Sequence, residues 1–554
     1  MTESLDVARA GLHLNWSTIW DRVAATVPER IAVRTPTLAV TYEELEHASA
    51  RLAATLLGSG VGRGDRVGLF LYNRIEYLVG LYAAFKIGAI PVNLNFRYRS
   101  AELAQLLRVS RAVALVHPTS LGHVVREALL TTPVPLVVAV EDSAEPLPPG
   151  ARSWGSVLGG EPLRDGPPVD GDDTVFVFTG GTTGLPKAAV HRHATLLQNQ
   201  LVSIYGAAGI PFPTDLDEIA AVAADERIPA PVTLPITPLM HAMALFNSMD
   251  TLVLGGTVVF LDSPSFDPGA VLRTIEERRV TRLIIAGNAV AVPLVDTLDG
   301  FTTAGVRHDL SSVQLVMSSG MAWTDAVKAR MLAHFDAQLF DIVGSSEGGP
   351  YAYSSVWSHA DLPSRLRLAE GAVVLDAEGR ELDAAVGGVG LLASRGPMPE
   401  GYFEDPVKTA EVYQEHGGRR YVVPGDWVRL ADGGIEFLGR GSAVVNTGGE
   451  KVYPAEVEDA LLALPEVADC VVFGIPDDRW GQVVAAVVQP VPGASFTPEA
   501  VAEFLGDSLA GYKKPRRIAI VDSIGRSPSG KADLAVLRAR FDTAQQNGKG
   551  TTAR

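Results

Sequence analysis

Thr174-Val175-Phe176-Val177-Phe178-Thr179-Gly180-Gly181-Thr182-Thr183-Gly184-Leu185-Pro186-Lys187 is the stretch whose reading decides the fold. Its β-branched and aromatic start reads as a buried strand. Glycines, threonines and a lysine then follow. Glycine lets the backbone approach an anion with its N–H groups turned inward, and hydroxyls and an ammonium add donors, so residues 179–187 suit a phosphate. The loop is not a Walker A sequence, because Lys187 follows Leu185-Pro186 and no Ser or Thr comes after it. Read alone, such a loop is more often an ordinary surface turn. The rest of the chain decides.

At 554 residues the chain exceeds one small core and calls for at least two domains. The net charge of −17 argues against nucleic acid and anionic membrane as partners. A single cysteine, Cys470, excludes an internal disulfide and a Cys-rich metal site, and its apolar neighbours read as a buried strand. Neither a signal peptide nor a membrane-length apolar run is evident, so a soluble, cytoplasmic protein is expected.

Upstream of the loop, helical and strand-like segments alternate. Residues 42–53 carry apolar side chains at helical spacing, with Thr41 as the cap. Strands are expected at 66–71 and 89–93, with a helix near 77–86 between them. This βαβ rhythm predicts a mostly parallel α/β sheet. Downstream, residues 207–231 are rich in Asp, Ala and Pro and read as an exposed insertion. Strand-like runs return at 257–261, 283–286 and 313–317, the last entering Ser318-Ser319-Gly320-Met321, a strand-to-loop transition of the kind that lines sites in open sheets.

Two stretches between them bear on chemistry. Met240-His241-Ala242-Met243-Ala244-Leu245-Phe246 sets one histidine among apolar residues; it fits a satisfied core side chain or an apolar ligand pocket lined by Met240, His241 and Phe246. Asp341-Ile342-Val343-Gly344-Ser345-Ser346-Glu347 reads as a polar loop. Its glutamate beside hydroxyls is what Mg²⁺ asks for when it also bridges substrate phosphates.

From 386 onward frequent glycines mark short strands and hairpins. A new α/β unit then opens after Gly439-Arg440-Gly441-Ser442. The expected organisation is a large domain over 1–440, built from parallel-type α/β sheets and a β-barrel-like part. A small mobile α/β domain takes 441–542, and 543–554 form a disordered tail. Pro454-Ala455-Glu456-Val457-Glu458 opens a helix, with proline in the first turn and acids at the positive end. Gly525-Arg526-Ser527-Pro528-Ser529-Gly530-Lys531-Ala532 imitates a P-loop but fails at Ala532 and Pro528, which leaves Lys531 as a cation on a loop.

Taken together, these motifs resemble the acyl-CoA synthetase branch of the adenylate-forming (ANL) superfamily, over nearly the whole chain. The phosphate loop, the 343–347 stretch, Tyr421-Val422-Val423-Pro424-Gly425-Asp426, Gly439-Arg440 and residues 448–458 match its motifs in order. The resemblance implies ATP, Mg²⁺ and coenzyme A. Thr179, Gly180, Gly181, Thr182, Thr183, Gly184 and Lys187 would hold the β,γ-phosphates. Gly320, Met321, Ala322, Asp341, Val343, Gly344, Ser345 and Ser346 would border the nucleotide. Asp426 and Arg440 would take the ribose, and Glu347 with Thr183 the metal. Lys531 would reach the α-phosphate, His241 would stand between the acyl pocket and the pantetheine path, and Ser442 would be the hinge. Gly448, Gly449, Glu450 and Lys451 would meet CoA.

The resemblance implies a CoA ligase for a bulky apolar carboxylic acid, nearest the synthetases of sterol side-chain and polycyclic terpenoid acids, and allows a homodimer. Departures from the family pattern stand at Val343, Pro424 and Ser442, and those at Val343 and Pro424 keep a thioester-only enzyme open. An amino-acid adenylation enzyme and a non-catalytic nucleotide binder are further alternatives.

Overall fold

The computed structural model describes residues 2–179, 187–206, 208–383, 385–431, 434–440, 444–447, 450–477, 481–494, 497–505, 509, 511–526, 532–546 and 550–552. The chain divides into two compact units. The first takes Met1–Pro350, Ser355–Ser364 and Gly396–Glu411; the second takes Tyr351–Ser354, Arg365–Arg395 and Val412–Arg554.

The first unit contains two parallel sheets. In one, Ile90–Asn93, Arg66–Leu69, Ala112–Pro118, Leu136–Val140 and Arg152–Ser153 lie side by side, all parallel. Parallel neighbours need crossovers, which the helices Ile75–Lys86, Ser100–Ser110 and Gly122–Thr131 supply. Covered on both faces, Ile90–Asn93 and Leu136–Val140 are buried at every position. The other runs Gln338–Ser345, Leu315–Ser319, Arg282–Ile285, Val232–Pro235, Thr257–Val259 and Ile31–Arg34 in parallel, with Ala39–Thr41 antiparallel at its edge. The strands expected from sequence are present, their ends displaced by one or two residues.

Thr41 caps the helix Tyr42–Gly58 as its sequence implies. Its hydroxyl accepts from Glu44 N, and the Glu44 carboxylate accepts from Thr41 N at 2.8 Å, closing a capping box. Tyr42 is fully buried, stacks on Trp20, and donates toward the carbonyls of Leu252 and Gly256.

Two sequence expectations need correction here. Residues 207–231 are not simply exposed: Leu216–Ala224 is a helix, capped by Asp215, that buries Ile219, Ala220 and Ala223 and packs on the helix Trp16–Thr26. Leu216, Val222 and Ala224, partly buried, pack against the same core, so most of this short helix is apolar, and the surrounding Asp and Pro conceal it in the sequence. Residues 341–345 are also not loop but the end of the strand Gln338–Ser345, so that only Ser346 and Glu347 turn before the strand Gly348–Val356 begins.

A small antiparallel sheet carries the opening motif. Thr174–Thr179 pairs with Lys187–Arg192 so that Thr179 faces Lys187, and Gly401–Tyr402 joins the other edge of Lys187–Arg192.

In the second unit Tyr413–His416, Arg419–Val422, Gly388–Ser394, Asp426–Ala431 and Gly434–Arg440 form an antiparallel sheet, with Ala372–Leu375 beside Gly388–Ser394. The later residues form an α/β layer in which Val467–Asp477 and Gly481–Pro490 make a long hairpin. Helices Pro454–Leu462, Pro498–Phe504 and Leu534–Gln546 accompany it. Proline does stand in the first turn of Pro454–Leu462. Residues 543–546 continue the last helix, and Gly550–Thr552 pairs antiparallel with Arg517–Ile520. Among the described residues no helix is long and apolar enough to cross a membrane.

One buried acid sets a pH dependence. Asp250, on the helix Ala242–Val253, is 2% exposed, accepts from Ser203 Oγ at 3.1 Å, and is pushed up to about 8 by burial. Between its unfolded value near 3.8 and about 8 the folded state holds the extra proton, so stability falls as pH rises through that window. The slope is at most ~1.4 kcal/mol per pH unit. Asp250→Asn is therefore expected to melt above the parent at pH 8 and close to it at pH 4. Melting curves that stay parallel across the range would contradict this.

Candidate functional site

The antiparallel hairpin Thr174–Thr179/Lys187–Arg192 and the turn at Ser346-Glu347 meet in the first unit. His191 Nε2 lies 2.9 Å from the Ser346 carbonyl. A carbonyl only accepts, so Nε2 carries the proton. Burial pushes this histidine down to about 4, against the opposing pull of Ser346 and Glu347, so the ring is neutral. Alongside it the Tyr402 hydroxyl donates to Glu347 Oε1 at 2.6 Å. The candidate metal carboxylate is thus fixed by one side chain and its turn by another.

Lys187 belongs to the same cluster. Its Nζ is 2.5 Å from Asp405 Oδ2 and 6.0 Å from the centre of the Tyr402 ring. The Lys187 ammonium, followed by the Lys408 N–H, holds the Asp405 carboxyl below its ordinary range. The segment that supplies Tyr402 and Asp405 is itself pinned. Glu400 N and Phe403 N donate to Val190 and Ala188, and Thr409 Oγ1 accepts from Tyr402 N at 2.9 Å. Gly401 is required there: its φ is +153°, and a Cβ would come 2.5 Å from Thr409 Cγ2. Sequence reasoning had singled out Lys187 and Glu347 but missed Tyr402, Asp405 and His191. Gly401-Tyr402, which forms a short edge strand, was the available signal.

The residues expected to border the nucleotide lie just after the end of Leu315–Ser319. Gly320, Met321 and Ala322 follow it, Gly320 and Ala322 open to solvent and Met321 half-buried. This rim is held from behind: Asn288 N donates to Ala322 O at 2.9 Å, and Thr324 N donates to Asn288 Oδ1. Gly287, at φ +45°, has Ala322 O 2.3 Å from where a Cβ would stand, so no larger residue fits without moving the rim. Asp341 and Val343 project from the same face of the adjoining strand, two residues apart. Asp341 Oδ2 is 3.3 Å from Nζ of Lys328. Burial raises this carboxyl, and the Lys328 charge works against the rise. Gly344 is exposed, and Ser345 and Ser346 are half-buried.

His241 stands at the start of the helix Ala242–Val253 in extended backbone, φ −97° and ψ 138°. Met240 is buried, and Phe246 is half-buried against the largest core cluster. The segment that leads to His241 is positioned by Asn73. Its Nδ2 donates to the carbonyls of Pro235 and Thr237, at 3.1 and 2.9 Å, and its Oδ1 accepts from Leu239 N at 2.7 Å. Asn73 was also missed, since nothing local in sequence links it to a segment so far downstream.

In the second unit Asp426 is buried and lies opposite Arg440 in the strand register. Gly180, Gly181, Thr182, Thr183, Gly184, Ser442, Gly448, Gly449 and Lys531 lie outside the described residues, as do the side chains of Thr179, Arg440, Glu450 and Lys451.

Comparison with known proteins gives this geometry a context. Residues 20–403 match the model of the AMP-binding enzyme family, and residues 456–531 match that of the AMP-binding enzyme C-terminal domain. A medium/long-chain-fatty-acid–CoA/3-oxocholest-4-en-26-oate–CoA ligase of Mycolicibacterium smegmatis is 37% identical over 94% of this chain and 95% of its own. A 3-oxocholest-4-en-26-oate–CoA ligase of Rhodococcus rhodochrous is 36% identical over the same shares. The crystal structure of the anthranilate CoA ligase AuaEII with anthranoyl-AMP shares the fold. Its TM-score is 0.78 at 22% identity, covering 97% of this chain and 98% of that one.

The three Asn73 bonds predict a local effect. Each is worth about 1 kcal/mol, so Asn73→Ala is expected to speed hydrogen exchange of the Leu239 amide by ~10- to 100-fold. Unchanged protection at Leu239 would show that the segment is held by other contacts.

Proposed function

The chain belongs to the family of AMP-binding enzymes and is an AMP-forming acid–CoA ligase that uses ATP and CoA, and on that premise we propose that its acid is bulky and apolar, of the sterol side-chain or long-chain fatty class. The observation that carries this reading is the 36–37% identity, along 94% of the chain, to ligases named for those acids. The apolar segment around His241 supports it, since Met240, Ala244 and Leu245 beside it in sequence are buried.

In the proposed arrangement, residues 179–187 hold the β,γ-phosphates. Gly320, Met321, Ala322 and Asp341 take the adenine, and Asp426 with Arg440 the ribose. A carboxylate oxygen of the acid forms a bond to the α-phosphorus as the α–β bridging P–O bond breaks, and pyrophosphate leaves. Lys531 stabilises the charge that develops at the α-phosphate. The domain 441–542 then turns about Ser442, withdrawing Lys531 and bringing residues 448–451 to the CoA path. The CoA sulfur forms a bond to the acyl carbon as the acyl C–O bond to AMP breaks, and the thiol proton passes to solvent. The reading places the enzyme in the cytoplasm, where ATP and CoA are supplied, and allows a homodimer.

A hard cation fits Glu347, an oxygen donor whose orientation is already set by Tyr402 at 2.6 Å. Mg²⁺ bound by Glu347 and Thr183 would supply charge neutralisation to the phosphates.

A panel of sterol, diterpenoid and C8–C18 fatty acids, followed for both pyrophosphate and acyl-CoA, tests the proposal. Formation of both with a sterol or long-chain acid is expected. Activity confined to small aromatic or amino acids would overturn it. Acyl-CoA made from a supplied acyl-adenylate without ATP–pyrophosphate exchange would instead favour the thioester-only reading, which the valine at 343 motivates. Tyr402→Phe is expected to raise the Mg²⁺ needed for half-maximal activity several-fold with the CoA KM unchanged. An unaltered Mg²⁺ requirement would separate Tyr402 from the metal.

A further inference from the structure

Lys328 is a lysine with almost no access to water. It lies on the helix Asp325–Leu332 and is 2% exposed. Its Nζ stands over the ring of Trp323, 5.3 Å from the ring centre. A buried ammonium is costly unless it is paired and hydrogen-bonded. Lys328 meets that demand with Asp341 Oδ2 at 3.3 Å and Ser364 Oγ at 3.1 Å. The Ser364 hydroxyl proton is directed elsewhere, to Asp325 Oδ1 at 2.5 Å, so its oxygen is left to accept from Lys328. The cation therefore serves two acids, Asp341 directly and Asp325 through Ser364.

Resting on the reading of Asp341 as the adenine contact, we infer that Lys328 is a positioning residue that fixes the base preference of the nucleotide site by keeping Asp341 an ionised acceptor. The C6 substituent of adenine is an amino group, a donor, while that of hypoxanthine is a carbonyl, an acceptor. A carboxylate has only lone pairs to offer and so suits the first and repels the second; a protonated carboxyl can donate and loses the distinction. Asp341 is largely buried, and burial alone drives it toward the protonated form. The largest counterweight is the ammonium of Lys328, with the Ile342 backbone N–H a lesser one, while Gly320 and Ala322 of the rim stay open to solvent. Lys328 needs no contact with the nucleotide to act this way.

Calorimetric binding of AMP and IMP to the full-length chain tests this without knowledge of the acid. The parent is expected to bind AMP at least ~10-fold more tightly than IMP, in line with a hydrogen bond to a charged acceptor. Lys328→Met is expected to weaken AMP and bring the two affinities within about threefold. Lys328→Gln, which keeps most of the stem and a neutral donor, is the second variant should K328M not fold, with the same narrowing expected. Lys328→Arg, which keeps the charge, should retain a preference for AMP. A parent-like AMP preference in whichever of K328M or K328Q folds overturns the inference. Asp341→Ala separates the two levels: if D341A leaves the preference intact, the reading of Asp341 itself fails. If D341A abolishes the preference while the Lys328 variants keep it, only the role of Lys328 fails.

Discussion

The 2.6 Å hydrogen bond from the Tyr402 hydroxyl to Glu347 is the constraint on which the site in the first unit depends. It joins two segments that have no local reason to meet, the turn after a parallel strand and a two-residue edge strand. His191 makes the second tie, on the Ser346 carbonyl, and both ties reach the hairpin that carries the phosphate-loop motif. Because His191 is buried and neutral, this tie is insensitive to pH over the physiological range. The turn is consequently set before any ligand arrives, which is how a site avoids ordering costs during reaction.

The same logic of support from behind recurs around the unit. Asn73 fixes the segment before His241 with three hydrogen bonds, and Asn288 with Gly287 fixes the Gly320–Ala322 rim. Lys328 backs Asp341. In each case the geometry of the site segment is supported by a neighbour from another part of the chain. Preorganisation of this kind depends on supports as much as on contacts.

Most of the scaffold was legible in the sequence because its signals are local. Alternating apolar runs and turn clusters specify the parallel strands, and Thr41 with Glu44 writes its own capping box three residues apart. The motif order Lys187, Glu347, Asp426, Arg440 identified the family. The supports were not legible for a physical reason: Tyr402 and Glu347 are 55 residues apart, Lys187 and Asp405 are 218, and Asn73 and Leu239 are 166. Side chains that far apart meet only through the topology of the sheets, and no period or spacing records the meeting. The helix Leu216–Ala224 escaped for a different reason, since its nine residues sit in a stretch whose Asp, Ala and Pro content reads as an insertion.

Cys470, in the strand Val467–Asp477, has a further consequence. It is 1% exposed, its Sγ lies 3.6 Å from the Glu458 carbonyl, and burial pushes the thiol well above its ordinary range. A thiol so seldom ionised and so enclosed reacts slowly with disulfide reagents. With no other cysteine in the chain, the folded protein is nearly silent toward Ellman-type reagents. The disappearance of free coenzyme A can therefore be followed colorimetrically at high enzyme concentration, with little background from the catalyst.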